Sequence, residues 1–391
     1  MSGVSSLPIF HGCGLIIAAA SVSYLVLAIW RVVRFEAPRD VTGKFRPAVT
    51  ILKPICGLEP RLYECLRSFC LLDYEPLQII FGVGDSSDPA IGLVEQLIKE
   101  FPGRDLKLVI DHSVHGTNLK VSNLVNMYRI AKHDVIVVSD SDTEVARNCL
   151  DALVAPLEDP SVGAVTCLYK GVPAKGFASA LGALFINDWF LASAVVDAGM
   201  RDVAYCFGPV TAVRRDALET IGGFGKLSFH LADDFMLGRM IAAAGYRVRL
   251  SRYVADIVVA ETFASLVRHE LRWARTVRAV KPAEHFLSVV MEPLPLLVAL
   301  LLPFPTLGSW ALLGTVLLLR VFLHYLVRWR FAITTPAQPW LLPLRECLCF
   351  AIWMASFPST RVRWRQRDFV IAPGGRLEPR AVESAVASSV R

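Results

Sequence analysis

Asp134-Val-Ile-Val-Val-Ser139 runs directly into Asp140-Ser141-Asp142, and the fold turns on how that stretch is read. A strand buried on both faces of a parallel sheet reads as a continuous β-branched run. Such a strand has no use for acids, so two carboxylates one residue apart mark where it emerges. Open α/β sheets bind ligands at the carboxyl ends of their strands. Paired carboxylates there can hold a hard divalent cation, Mg²⁺ or Mn²⁺, whose other ligands include phosphate oxygens. The same tripeptide also suits a solvated turn, and alone it does not decide between the two.

Outward from this strand the pattern alternates. Ala48–Ile55, Leu77–Val83 and Leu106–Ile110 read as strands, and Arg61–Leu72, Ile91–Phe101 and Val121–Ala131 as helices between them. Strands alternating with helices of this length predict an α/β architecture, a parallel, doubly wound sheet. Leu77–Val83 runs into Gly84-Asp85, so Asp85 is a further acid at a strand end. The loop His115-Gly-Thr-Asn-Leu-Lys120 leads into a helix. Lys120 can neutralise phosphate there, helped by the helix N-terminus, or serve as a solvated surface lysine.

The next hundred residues are less regular. Val162–Tyr169 reads as a strand, Phe177–Ala194 as a helix, and Tyr205–Val213 as a strand interrupted at Phe207-Gly208-Pro209. Asp233-Asp234 opens an amphipathic helix running to Ala244. Acids at a helix start cap it and compensate its dipole. Two adjacent acids exceed that need, which leaves one to cap and one to project as a base.

The 391 residues are 54% hydrophobic, with a mean hydropathy of +0.47, too apolar for an ordinary soluble chain. The excess lies at the two ends. Residues 1–30 carry no Lys, Arg, Asp or Glu, and Arg31, Arg34 and Arg39 follow at once. By the positive-inside rule this is a spanning helix with residue 31 onward in the cytoplasm. A cleaved signal peptide would carry its positive charge before the apolar region. Three more apolar stretches, Phe286–Pro305, Leu307–Val327 and Trp340–Phe357, fill the C-terminal third. The first two read as a hairpin. The third contains Arg345 and Glu346, costly at mid-bilayer, and reads as re-entrant or interfacial. The net charge of +6 clusters beside membrane segments, which favours anionic headgroups over nucleic acid. The nine cysteines lack metal-site spacing and read as reduced thiols. Ala264–Val280, with Arg268-His269-Glu270-Leu271-Arg272-Trp273, reads as a basic amphipathic helix at the bilayer surface.

Acids at two strand ends, an acid pair at a helix start and Arg272-Trp273 at the membrane form an ordered set. It resembles the D, D, D, (Q/R)xxRW pattern of membrane-bound, family 2-like glycosyltransferases with a GT-A fold (Rossmann-like, mostly parallel sheet). The similarity is strongest to the ceramide glucosyltransferase family and its bacterial relatives. The matching pieces are Gly84-Asp85-Ser-Ser-Asp88, Gly116-Thr-Asn-Leu-Lys120, Asp140-Ser-Asp142, Ala232-Asp233-Asp234-Phe235 and Leu271-Arg272-Trp273. Stretches such as Leu66-Arg-Ser-Phe-Cys70, Thr166-Cys-Leu-Tyr169 and Leu181-Gly-Ala-Leu-Phe185 resemble the hopanoid-associated branch. One position departs from the pattern: His269 stands where the motif has Gln or Arg.

The resemblance implies an inverting, metal-dependent hexosyltransferase of the bacterial inner membrane. Its catalytic domain would be cytoplasmic, its donor a UDP-sugar and its acceptor a membrane lipid. UDP-N-acetylglucosamine with bacteriohopanetetrol is the first expectation, and UDP-glucose with ceramide the second. A non-enzymatic membrane adaptor would explain the apolar ends but not the ordered acids. Within the set, Asp85 would contact the uracil or ribose, and Asp142 with Asp140 would hold Mg²⁺ or Mn²⁺. Lys120 and Arg272 would face the diphosphate. Asp234 would be the base beside Asp233, and Trp273 would shape the pocket, with His269, Trp189, Phe207 and Gly208 as acceptor-pocket candidates. The chain then divides into an anchor with basic linker (1–45), a GT-A domain (46–262), an interfacial helix (263–284), membrane segments (285–360) and a basic tail (361–391).

Overall fold

The structure, a computed structural model, describes residues 7–36, 45–301, 305–364 and 367–379. The linker expected around Arg39, part of the first C-terminal apolar stretch, Arg365, and the tail from Arg380 lie outside the described residues.

Helix α1 (Leu7–Arg34) precedes the sheet-forming unit. That unit opens with β1 (Val49–Ile55), α2 (Leu62–Cys70), β2 (Leu77–Val83), α3 (Ala90–Glu100), β3 (Asp105–Ile110), α4 (Leu119–Tyr128) and β4 (Val135–Ser139). Every residue of β1, β2 and β4 is buried, which is why their sequences run apolar instead of alternating. These strands and β3 pair in parallel in the order β3-β2-β1-β4. The expected doubly wound half-sheet is present.

Beyond β4 the sheet becomes mixed. The chain adds β5 (Thr143–Glu144), α5 (Cys149–Val154), β6 (Val162–Pro173), α6 (Phe177–Phe185), α7 (Leu191–Met200), β7 (Val210–Arg214), α8 (Arg215–Thr220), α9 (Asp233–Ala243) and β8 (Arg247–Val259). Strand β7 runs antiparallel to both β4 and β6. Strands β6 and β8 pair in parallel over a long ladder, and β5 closes the edge antiparallel to β8. The eight-stranded sheet therefore keeps a parallel majority. Strand β8 is an element that the local pattern does not predict. The pattern also extends β7 back to Tyr205, whereas Tyr205–Pro209 is loop.

The remaining elements are α10 (Phe263–Val280), α11 (Pro282–Leu287), α12 (Pro293–Leu301), α13 (Leu307–Arg330), α14 (Leu342–Ser356) and a three-stranded sheet, β9 (Arg361–Trp364), β10 (Arg367–Ile371) and β11 (Leu377–Pro379). Among the described residues, three helical segments are long and apolar enough to cross a membrane: Gly14–Arg34, Phe177–Met200 and Leu307–Arg330. The second, continuous through a π-helical turn at Ile186–Phe190, is mostly buried within the protein.

The expected first arm of the hairpin after Phe286 is not one continuous helix over its described residues. That stretch breaks into α11, a 3₁₀ turn and the nine residues of α12. Helix α14 is also short, at 15 residues. Its Arg345 and Glu346 are fully buried and paired, Arg345 with Glu270 at 2.5 Å and Glu346 with Arg320 at 3.5 Å. Charges in an apolar segment are tolerated when they pair inward.

The described residues of the basic tail are ordered on the protein. They form an antiparallel sheet, and Val362, Phe369, Ile371 and Leu377 bury against Leu231.

Candidate active site

Strand β4 delivers its two acids to the sheet's edge as its sequence predicts. Asp140 N–H donates to Pro209 O at 3.2 Å, which ties the acid loop to the Phe207-Gly208-Pro209 segment. The structure adds a residue that sequence reasoning missed. Lys53, fully buried on β1, donates to Ser139 Oγ at 3.2 Å and to the Asp140 carbonyl. Burial pulls its ammonium down to about 8, while nearby acids, Asp142 and Asp140 among them, oppose that shift. The available signal is Lys53 itself, a charged residue within the otherwise uncharged strand β1.

Helix α4 lies close on β2. Asn123 donates to the Gly82 carbonyl at 2.7 Å, and any side chain at Gly82 would collide with Asn123 and Met127. Asn118 caps α4 by accepting from Val121 N–H. Its amide also donates to His230 O at 2.8 Å and Asp233 Oδ1 at 3.2 Å. Lys120, in the first helical turn, stands 2.6 Å from Asp140 Oδ1 and 3.3 Å from Asp233 Oδ2. It is therefore a half-buried bridge between the two acid pairs and not a solvated lysine. Burial disfavours its charge, but Asp140, Asp233 and Asp234 outweigh that and raise its pKa.

The acid pair on α9 differs from expectation in one respect. Ala232 is the N-cap, and no side chain caps the helix. Asp233 is held by Asn118 and Lys120 instead. Asp234 turns toward Gly208, where an added Cβ would stand 3.2 Å from Oδ2 of both Asp234 and Asp140. Burial, then the charge of Asp233, pushes the Asp234 carboxyl up to about 7. Burial, then Asp140 and Glu59, does the same to Asp142.

Helix α10 brings Arg272 to the same place. Burial lowers its pKa, opposed by the charges of Asp233, Asp234 and Asp140. Trp273 packs edge-on to His269 at 4.4 Å and lies 6.3 Å from Phe185. His269 is tied through Nδ1 to Glu261 at 2.9 Å. Phe207 stacks edge-on against Phe190 and Tyr205, and Tyr169, whose phenol burial and the charges of Asp234 and Asp140 hold protonated, stacks on Phe190. Trp189 does not join these groups. It is buried, donates to Met291 O at 3.3 Å and carries Arg320 over its ring. Asp85 follows β2 in an exposed turn and accepts from Ser87 N–H and Oγ; the backbone bond, then the hydroxyl, lowers its pKa.

Among the described residues, no three His, Cys, Asp or Glu side chains form a ready-made metal cage. Asp140 and Asp142 still fit an ion of the Mg²⁺ class, which takes one or two carboxylates and completes its shell from substrate phosphates and water.

The order of these groups along the chain can be compared with known proteins. The sequence model of glycosyl transferase family 21 matches residues 13–377, from α1 to the start of β11. The chain belongs to glycosyl transferase family 21. This family 21 enzyme is 25% identical to ceramide glucosyltransferase 1 of Caenorhabditis elegans over 348 residues, 85% of this chain and 73% of that one. A ceramide glucosyltransferase of Gibberella zeae is 33% identical over 140 residues, 33% of this chain and 26% of the other. Among solved structures, the mannosyltransferase PcManGT of Pyrobaculum calidifontis, in complex with GDP-Man and Mn²⁺, superposes with a TM-score of 0.55. That match has 20% identity and covers 89% of this chain and 99% of the other. The likeness establishes a GT-A-type fold for the family 21 chain, with apolar helices near its N-terminus and in its C-terminal region. As a glycosyltransferase of this family it is a hexosyltransferase.

Proposed function

We propose that the chain transfers N-acetylglucosamine from UDP-N-acetylglucosamine to a hydroxyl of a polyol hopanoid, bacteriohopanetetrol, with inversion at the anomeric carbon. The observation that carries the reading is the meeting of Asp140 and Asp234 across Gly208, with Lys120 and Arg272 facing them. One acid pair suits a diphosphate and its counter-ion, and the other suits an attacking hydroxyl.

Asp234 accepts the acceptor hydroxyl's proton as its oxygen attacks the anomeric carbon from the face opposite the leaving UDP. A carboxylate held near 7 by its surroundings is matched to that task at neutral pH. Asp233, fixed by Asn118 and Lys120, sustains that shift. Arg272 and Lys120 pair with the diphosphate, where fixed cations stabilise developing charge. Asp142 and Asp140 would hold Mg²⁺ or Mn²⁺, which when bound would supply further charge to the leaving group. Asp85, exposed at its strand end, meets the nucleoside. The Phe190–Phe207 aromatic wall, with Trp273, receives the apolar part of the acceptor. A single displacement needs no covalent nucleophile, so the cysteines take no part.

The site's setting supports a lipid acceptor, because α10, which carries Arg272, is tied through Glu270 to Arg345 of the apolar helix α14. We place the catalytic unit on the cytoplasmic face of a bacterial inner membrane, since Arg31 and Arg34 end α1. The hopanoid choice rests on the sequence stretches that resemble that branch. A second reading, glucose from UDP-glucose onto ceramide, is favoured by the 25% identity to a nematode ceramide glucosyltransferase over 85% of the chain. Offering both donors to the purified enzyme, each with bacteriohopanetetrol and with ceramide, separates the two. A β-linked N-acetylglucosaminyl hopanoid supports the first. Glucosylceramide as sole product establishes the second, and an α-linked product of either kind ends the single-displacement mechanism.

A further inference from the structure

We propose that Lys120 is a built-in cation that competes with the divalent ion for Asp140, so that ion and nucleotide sugar each bind tightly only with the other. The inference rests on the functional reading above. Its ground is the geometry of one amine. Lys120 Nζ lies 2.6 Å from Asp140 Oδ1 and 3.3 Å from Asp233 Oδ2, and its side chain is only 17% exposed. The capped first turn of α4 holds it there. From below, Lys53 bonds the Asp140 carbonyl, so the acid loop is gripped on two sides by lysines.

An Asp140 carboxylate engaged by an amine at 2.6 Å is already neutralised when an ion arrives. An ion binding alone must share Asp140 with Lys120 or displace it. Either way two cations are crowded within a buried space, a like-charge cost. A nucleotide diphosphate changes this. It gives Lys120 a second anionic partner within reach of the same helix turn, and Asp140 is released to the ion. Each ligand thus removes a cost borne by the other, and such coupling is reciprocal. In the donor-free protein, removal of the Lys120 charge leaves Asp140, Asp142 and Asp233 with less positive charge nearby. Their attraction for a divalent ion then rises.

The test uses the full chain in detergent and measures free Mn²⁺ by electron paramagnetic resonance, with and without UDP. Wild type, Lys120→Met and Lys120→Gln are compared after their thermal unfolding midpoints are matched. Both variants should bind Mn²⁺ about tenfold or more tightly without UDP, within the usual range of site–site coupling. The factor by which UDP tightens Mn²⁺ should shrink in both. Donor-free Mn²⁺ affinity that is unchanged or weaker in both variants overturns the role of Lys120, while the functional reading stands if wild type binds Mn²⁺ with UDP. Wild type that takes up no Mn²⁺ even with UDP ends both.

Discussion

Asp140 and Asp234 approach one another across Gly208: a Cβ placed there would lie 3.2 Å from Oδ2 of each. The two acids come from elements 94 residues apart in sequence, one at the end of β4 and one at the start of α9. The loop between them is fixed from both sides, by Asp140 N–H on Pro209 O and Phe207 N–H on Thr166 Oγ1 at 2.7 Å. It has little freedom to retreat. Gly208→Ala should therefore fold normally and lose activity about tenfold or more, since a small displacement of positioned groups carries a cost of that order. A wild-type kcat in the folded variant would show that the two acids do not share one substrate-facing space.

The second prediction concerns the base. Asp234→Asn should lower kcat about 10²–10⁴-fold with little change in UDP affinity. The sign of the pH dependence follows from the same carboxyl. A base works deprotonated, and burial followed by Asp233 holds Asp234 at about 7. Activity should then fall as pH drops through about 7. Asp233→Asn removes a neighbouring negative charge, so its acidic limb should move to lower pH. A limb that stays in place in that variant assigns the titration to another group.

Sequence alone made the site's acids legible, because a buried strand that ends in carboxylates contradicts its own environment. Asp140 and Asp142 needed no tertiary information to be singled out as candidates, and Asp234 stands out as one acid more than a helix start requires. Lys53 did, since its partner, the Asp140 carbonyl, lies 87 residues away. Strand β8 escaped for a related reason. Arg247, Arg249 and Arg252 dilute its alternation, and its stability comes from pairing with β6, which the local pattern does not reveal. The tail read as basic because its arginines outnumber the four inward apolar residues that dock it on Leu231. Trp189 looked like a pocket residue on a helix face, and that face is covered by α13 through Arg320.

Metal removal gives the third prediction. Two carboxylates, Asp140 and Asp142, directly after strand β4 are the observation behind it. EDTA should abolish transfer, and Mg²⁺ or Mn²⁺ should restore it. Asp142→Asn should keep its fold, measured by thermal unfolding, and lose turnover. Full activity in chelator would remove the ion from the mechanism.

Orientation gives the fourth. Arg31 and Arg34 close α1 and Arg328 and Arg330 close α13, so both helices should end in the cytoplasm. Reporters inserted after Arg46 and after Lys281 should both read cytoplasmic. An outward signal at either position would be incompatible with a cytosolic nucleotide-sugar donor.

The last prediction concerns the C-terminal sheet. Leu231 N–H donates to Gly375 O at 3.2 Å and Leu377 N–H to Phe229 O at 2.7 Å. These bonds pin the segment that enters α9 two residues before Asp233. Asn118 holds the same segment from the opposite side through His230 O. The sheet also reaches α10, because Gly374 N–H donates to Ala279 O at 3.3 Å and Arg278 to Ser359 O at 2.8 Å. It thus joins the helix bearing Arg272 to the helix bearing Asp234. Leu377→Asp places an unpaired carboxylate among Val362, Phe369 and Ile371 and should release the sheet. Residues 49–259 keep their own core, so the expected result is a lowered kcat with UDP binding largely kept. Calorimetric UDP titration beside steady-state kinetics provides the check. Equal loss of UDP affinity and kcat would mean that the sheet supports the whole domain and not the placement of its base.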